Sequence, residues 1–233
     1  MHKSWNKGKT KLTDASVRKI SETMKRKKID NFSKWREKMK KEGKIKSGYP
    51  ELKKDGNLAE LLGVVLGDGH VGKFPRTDVL RIVGDYNKPG FIDRSAWLVE
   101  KVFDKKPTIA KVKNSNAVTI TIYEKYIGKR LGIPHGAQGN RYIGVPRWIS
   151  LDEKCTIRYL RGLYEAEGSF CVHKPTYTYK LTFSNANESM LNNVERLVKR
   201  LGFHPHRSYR QIQVSRKKEV YELKDLLSFR DYS

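Results

Sequence analysis

Leu61-Leu62-Gly63-Val64-Val65-Leu66-Gly67-Asp68-Gly69 recurs in altered form, 99 residues later, as Leu160-Arg161-Gly162-Leu163-Tyr164-Glu165-Ala166-Glu167-Gly168. Each stretch reads as a short helix with a glycine in its middle, a small residue before an acid, and a glycine after it. Small side chains let two helix backbones approach closely, so Gly63, Gly67, Gly162 and Ala166 are the expected helix interface. The glycine after each acid suits a left-handed helix stop.

An acid at the C-terminal end of a helix faces the negative end of the macrodipole. Two such helices side by side would bring Asp68 and Glu167 together, which is worse still. That arrangement calls for a cation. Carboxylate oxygens plus water suit Mg²⁺, which also accepts phosphate oxygens, and Mn²⁺ is able to substitute. Asp68 and Glu167 are therefore the candidate catalytic and metal-binding pair. The bland alternative is two solvated acids after helix stops. Two copies at matched positions argue against it.

The rest of the chain supports a duplication within an α+β fold. After the first motif helix, near Leu58–Gly67, strands fit Val71–Phe74 and Val79–Val83, and a helix fits Ile92–Phe103. Strands Thr108–Lys113 and Ala117–Tyr123 and a helix Lys125–Leu131 complete the unit. Val118, Ile120 and Ile122 alternate with Thr119, Thr121 and Tyr123, the pattern of a sheet with one buried and one polar face. The order recurs as helix Thr156–Ala166, strands Phe170–His173 and Tyr177–Phe183, helix Met190–Leu201, strand Gln211–Val214 and helix Val220–Phe229. The expected division is 1–57, 58–147 and 148–233: a basic extension and two half-domains related like subunits of a two-fold dimer.

The 233 residues carry a net charge of +24, and 37% are apolar, enough for a core. So large a charge disfavours compaction unless a polyanion is the partner, and nucleic acid fits best. Residues 1–57 hold 19 Lys and Arg against 7 Asp and Glu, a net +12 in about a quarter of the length. There Thr13-Asp14 can cap a helix over Ala15–Lys27, with Val17, Ile20 and Met24 on one face. The two cysteines, Cys155 and Cys171, form no CxxC pair, which disfavours a cysteine zinc site and a disulfide scaffold. No stretch is long enough to span a bilayer and no secretory signal is present, so the expectation is a soluble intracellular monomer without a membrane partner.

The paired motifs resemble the LAGLIDADG motif, and residues 58–233 resemble a monomeric LAGLIDADG homing endonuclease. The stretch Ile143-Gly144-Val145-Pro146-Arg147-Trp148-Ile149 is similar to its linker. The resemblance implies two pseudo-symmetric αββαββα halves forming a saddle of antiparallel strands on the DNA major groove. It implies cleavage of both strands of duplex DNA at a specific site, leaving 3′ overhangs, with divalent metal held by Asp68 and Glu167. It also implies a basic or polar group near the attacking water: Lys73, Asp85, His173, Asn185, or Gln138, where relatives often carry lysine. The first acid position of the motif is Leu66 in one copy and Glu165 in the other. Asn6-Lys7-Gly8-Lys9 through Lys25–Lys28 resembles a modular DNA-binding segment attached to such nucleases, with Lys7, Lys9, Arg18, Lys19, Lys25 and Arg26 as phosphate contacts.

Alternation places Arg81, Lys111, Lys113, Thr119, Thr121, Tyr123, Thr178, Lys180, Thr182, Arg207, Gln211 and Gln213 on the groove-facing side. Two readings from other classes compete with the nuclease: an RNA maturase binding intron RNA, and a non-cleaving DNA-binding regulator on the same fold. Without self-splicing junctions, the chain reads as intron-encoded or free-standing.

Overall fold

A computed structural model describes residues 4–30, 32–136, 139 and 141–232. The chain divides into two compact units, residues 1–49 and 50–233.

The first unit carries α1 (Ala15–Arg26) and α2 (Ser33–Lys41). Asp14 starts α1 as the sequence suggests, its carboxylate accepting from the N–H groups of Ser16 and Val17 at 2.9 and 3.1 Å. Val17 and Met24 are half-buried, Ile20 is exposed, and no described residue of this unit is buried.

The second unit begins its regular structure with α3 (Gly56–Asp68), capped by Asp55. It continues through β1 (Gly69–Lys73), β2 (Asp78–Asp85), α4 (Pro89–Phe103), β3 (Thr108–Lys111), β4 (Ala117–Glu124) and α5 (Ile127–Leu131). A connecting helix α6 (Arg147–Leu151) leads to α7 (Glu153–Glu167), capped by Asp152. Then follow β5 (Gly168–His173), β6 (Thr178–Ser184), α8 (Glu188–Arg200), β7 (His206–Ser208), β8 (Gln211–Val214) and α9 (Lys217–Leu226). Each half is thus αββαββα, with antiparallel sheets ordered β1-β2-β4-β3 and β5-β6-β8-β7.

The core lies between each sheet and its helices. In β2 and β4 the register pairs Leu80 with Ile122 and Ile82 with Ile120, so one face is continuously apolar. In the second sheet Leu181 pairs with Val214 and Phe183 with Ile212, all fully buried. α3 is apolar nearly all round, as a helix enclosed on every side must be. It packs against α7 more extensively than any other two elements pack together.

The glycines after the acids depart from the expected left-handed stop. Gly69 has φ −104° and Gly168 φ −91°, both extended, and each is the first residue of a strand. The reason for glycine is room. A Cβ on Gly69 would lie 2.6 Å from the Val65 carbonyl oxygen, and one on Gly168 2.3 Å from that of Tyr164. The chain therefore passes from helix to strand against the last turn of its own helix.

Candidate functional site

The α3–α7 interface brings the two motif tails together. A Cβ on Gly162 would lie 2.1 Å from the Glu60 carbonyl oxygen, and one on Gly63 2.4 Å from the Tyr159 carbonyl oxygen. The backbones themselves are therefore in contact. One turn further on, a Cβ on Gly67 would lie 2.4 Å from Ala166 Cβ and 3.3 Å from Glu167 Cγ. Asp68 and Glu167 end the two helices immediately beyond this contact.

Acids at the two ends of this helix pair are treated differently. Glu60, eight residues before Asp68 and so about 12 Å away along α3, is 1% exposed. Arg94 holds it through two hydrogen bonds of 2.8 and 3.0 Å, Arg158 donates to it, and Arg161 lies 3.6 Å away. This clamp ties both halves together. The sequence signal for it was a lone acid in an apolar helix. No described residue forms an ion pair with Asp68 or Glu167. Burial pushes the Asp68 carboxyl up to about 6, reinforced by the charge of Glu167 and opposed by that of Lys88. Burial also raises Glu167, opposed by a hydrogen bond from Asn185 Nδ2 at 3.2 Å.

The Asp68 shift predicts a pH-dependent stability. Its carboxyl titrates near 6 when folded and near its ordinary 3.8 when unfolded. The folded state holds the proton more tightly, so ionisation costs stability, increasingly from about pH 4 to 6 and fully above that. With solvent screening at this half-buried group the cost is on the order of 1–2 kcal/mol. In metal-free buffer Asp68→Asn is expected to raise the unfolding midpoint at about pH 7 and to leave it nearly unchanged at about pH 4. Equal stabilisation at both would show that the charge is not responsible.

Two cavities flank the helix tails at equivalent positions. One is lined by Asp68, Asp85, Lys88, Asn116, Glu165 and Ala166 among others. The other is lined by Gly67, His70, Gly139, Glu167, Asn185 and Asn187 among others. Of the candidates for the neighbourhood of an attacking water, Asp85 and Asn185 fall beside the acids, at the ends of β2 and β6. Lys73 does not. It lies at the far end of β1, about 13 Å along the strand from Gly69. Its ammonium bonds Asp78 Oδ1 at 2.9 Å. Burial raises the Asp78 carboxyl, but Lys73, His135 and the Gly128 N–H together hold it below the usual range. His173 likewise sits at the far end of β5, with Nδ1 2.7 Å from Thr176 Oγ1. Gln138 lies outside the described residues. Lys88, which the sequence reading passed over, is the cation facing Asp68.

The outer sheet faces follow from register, since paired residues share a face. Arg81 pairs with His70 and Thr121, and Thr119 with Val83 and Ala110. Tyr123 is on the same face, exposed, and edge-on to Phe74. In the second sheet Thr178, Lys180, Thr182, Gln211 and Gln213 share the outer face with Cys171, His206 and Ser208. Thr182 is nearly covered, at 7% exposure. Three expected groove residues are elsewhere. Lys111 pairs with Val118, on the core side of the edge strand, its ammonium 4.1 Å from the Tyr86 ring centre. Lys113 lies in the turn beyond β3. Arg207 pairs with Ile212 and reaches back to α8, bonding Glu188 at 2.5 Å and Asn192 at 2.8 Å. In the first unit Lys7, Lys9, Arg18, Lys19, Lys25 and Arg26 are all exposed, with Lys9 paired to Asp14 at 3.1 Å.

The donor set fits a hard divalent cation. Two carboxylates, raised by burial and, at Asp68, by the neighbouring charge, are unmatched by arginine where Glu60 has three. Among the described residues no cluster of three or more His, Cys, Asp and Glu side chains forms a closed cage. Mg²⁺ does not need one, because it keeps waters and takes substrate oxygens.

Two antiparallel four-stranded sheets, each backed by helices, with glycine-packed helices at the join, constitute the two-domain LAGLIDADG fold. Residues 154–232 match the LAGLIDADG-like domain. Among solved structures, the chain is similar to the homing endonuclease I-DmoI in a mesophilic-variant form, with TM-score 0.50, 18% identity, and 74% of this chain and 94% of that one covered. I-DmoI in complex with DNA and Ca gives the same score and identity, covering 74% and 88%. Full-length DUF199/WhiA from Thermatoga maritima gives 0.54 at 18% identity, covering 78% and 58%. No curated protein matches the chain by sequence. No described helix is long and apolar enough to cross a membrane.

Proposed function

We propose that the chain is a site-specific endonuclease that hydrolyses one phosphodiester bond in each strand of duplex DNA. The observation that carries this reading is the meeting of Asp68 and Glu167 at the crossing of two helix tails, each acid raised by burial and neither matched by a cation in an ion pair. Asp68 and Glu167 would hold divalent metal, Mg²⁺ with Mn²⁺ as a substitute. A metal bound there supplies positive charge to the scissile phosphate and lowers the pKa of water. Asn185 orients the Glu167 carboxylate. Lys88 offers a charge to the phosphate on the Asp68 side. The outer sheet faces read the groove, with Arg81, Gln211 and Gln213 suited to base edges and Lys180 to phosphate. The first unit adds phosphate contacts and, being tethered, raises the effective affinity. The presence of Ca and Mg in DNA-bound I-DmoI structures supports divalent metal use here.

A non-cleaving DNA-binding regulator is the second reading, favoured by the likeness to WhiA. The test is incubation with a pool of randomised duplexes in Mg²⁺, in Mn²⁺, and with chelator. The expected result is metal-dependent products that share one site and carry 3′ overhangs. Site-selective binding without cutting in either metal would overturn the nuclease in favour of the regulator. Preference for folded intron RNA over duplex at matched salt would point to the maturase.

A further inference from the structure

The chain that follows the last helix of each half crosses to the other half: after α5 it walls the Glu167 cavity, and after α9 it packs behind Glu165, which lines the Asp68 cavity. After α5, Asn187 Nδ2 donates to the carbonyls of Gly139 and Arg141 at 2.8 and 2.7 Å. Asn193 Nδ2 donates to the Ile143 carbonyl at 2.6 Å. This strap is held by neutral amides and by the Ser189 hydroxyl, which accepts from the Ile143 N–H, and Leu66 of α3 lines the Glu167 cavity.

After α9 the crossing is anchored on a carboxylate instead. The Arg230 N–H donates to Glu165 Oε1 at 2.6 Å, and the Tyr232 hydroxyl donates to Glu165 Oε2. The Arg230 guanidinium donates to the Gly168 carbonyl at 3.2 Å. The Tyr232 ring lies flush on the first turn of α4, where a Cβ on Gly90 would sit 2.2 Å from the ring. Glu165 occupies the position equivalent to Leu66 and lines the Asp68 cavity. Its neighbour Ala166 is the residue that packs on Gly67. The bonds to Glu165 therefore fix the last turn of α7 against the start of α4, next to Asp68. Burying a charged acceptor costs more than burying leucine unless its hydrogen bonds are used, and here both oxygens are used.

We infer that Glu165 and Tyr232 are positioning residues that set the width of the Asp68 cavity, and so govern cleavage of one DNA strand and not the other. This rests on the nuclease reading. A misplacement of about 1 Å costs up to about a hundredfold in rate.

The test uses the full chain and the duplex target recovered from the randomised pool, each strand labelled separately. Asp85→Asn marks the strand served by the Asp68 cavity, and Asn185→Ala marks the other. Tyr232→Phe and Glu165→Leu are expected to slow the first strand by about tenfold to a hundredfold, so that duplex nicked in the other strand accumulates. Glu165→Gln leaves an oxygen to accept from the Arg230 N–H and an amide to donate to the Tyr232 hydroxyl, so it is expected to stay near the unchanged rate. Hydrogen exchange, which needs no activity, is read in parallel. Tyr232→Phe is expected to speed exchange at 89–92 and 165–168 but not at 187–191. Equal slowing of both strands, or unchanged exchange at 89–92 and 165–168, would overturn the inference and leave the nuclease standing. Failure of the unchanged chain to cut would sink the nuclease reading, and exchange would still decide the strap.

Discussion

Asp68→Asn and Glu167→Gln are each expected to reduce double-strand cleavage by about a thousandfold or more while leaving duplex binding intact. The changes are nearly isosteric, so packing at the α3–α7 crossing is retained. What disappears is one of the two negative charges that, in the proposed site, would hold a strongly hydrated cation. Because Asp68 and Glu167 end two helices that touch at Gly67 and Ala166, and both would hold metal, neither substitution is expected to spare one strand completely. The residues proposed to read the groove lie on the sheets, not at the helix tails, so binding should persist and even rise as repulsion from the phosphates falls. Strand cleavage followed in time, with a gel-shift titration alongside, reads both quantities. Full cutting by either variant would remove that acid from the chemistry.

Gly162→Ala is expected to destabilise the second unit by about 3 kcal/mol or more. The added Cβ would sit 2.1 Å from the Glu60 carbonyl oxygen and 2.9 Å from Val64 N. Both are backbone atoms, so no rotamer change relieves the clash, and the helices must move apart. Separation would also strain the Glu60 clamp and widen the gap between Asp68 and Glu167, so cutting should fall with stability. Gly48→Ala is the control, with open space around its would-be Cβ and an expected effect within about 0.5 kcal/mol. Chemical denaturation of both variants compares them directly. A melt of Gly162→Ala matching the unchanged chain would mean the helices are not in backbone contact.

Much of this architecture was legible in the sequence because the dominant signals were periodic and duplicated. Two glycine-spaced helices at an offset of 99 residues located the symmetry axis, and alternation in 117–123 located a half-buried sheet. Side-chain parity across hairpins was harder to read. Arg207 looked like a partner of Gln211 and Gln213. The two-residue turn at Tyr209 and Arg210 pairs it with Ile212 instead, which sends it to the core side. Counting back across that turn could have found this. Lys73 and His173 looked close to the acids because they follow them by few residues, yet an extended strand carries a side chain about 3.3 Å farther with every residue. β7, three residues long, and α2, charged with no apolar period, carried no pattern strong enough to read. The links from Glu165 to Arg230 and Tyr232 span more than sixty residues, and no local rule anticipates them.

The outer faces of the two sheets are unlike each other: Arg81 and Tyr123 mark one, Lys180, Gln211 and Gln213 the other. An assembly of two identical subunits can only recognise inverted repeats, because whatever one copy favours the other must favour too. Here the Glu60 clamp and the crossing straps join the halves in a single polypeptide, and each face is free to drift by itself. A sequence recognised through them has no reason to be palindromic, and single substitutions on one face can change half of the specificity while the other half stays as it was.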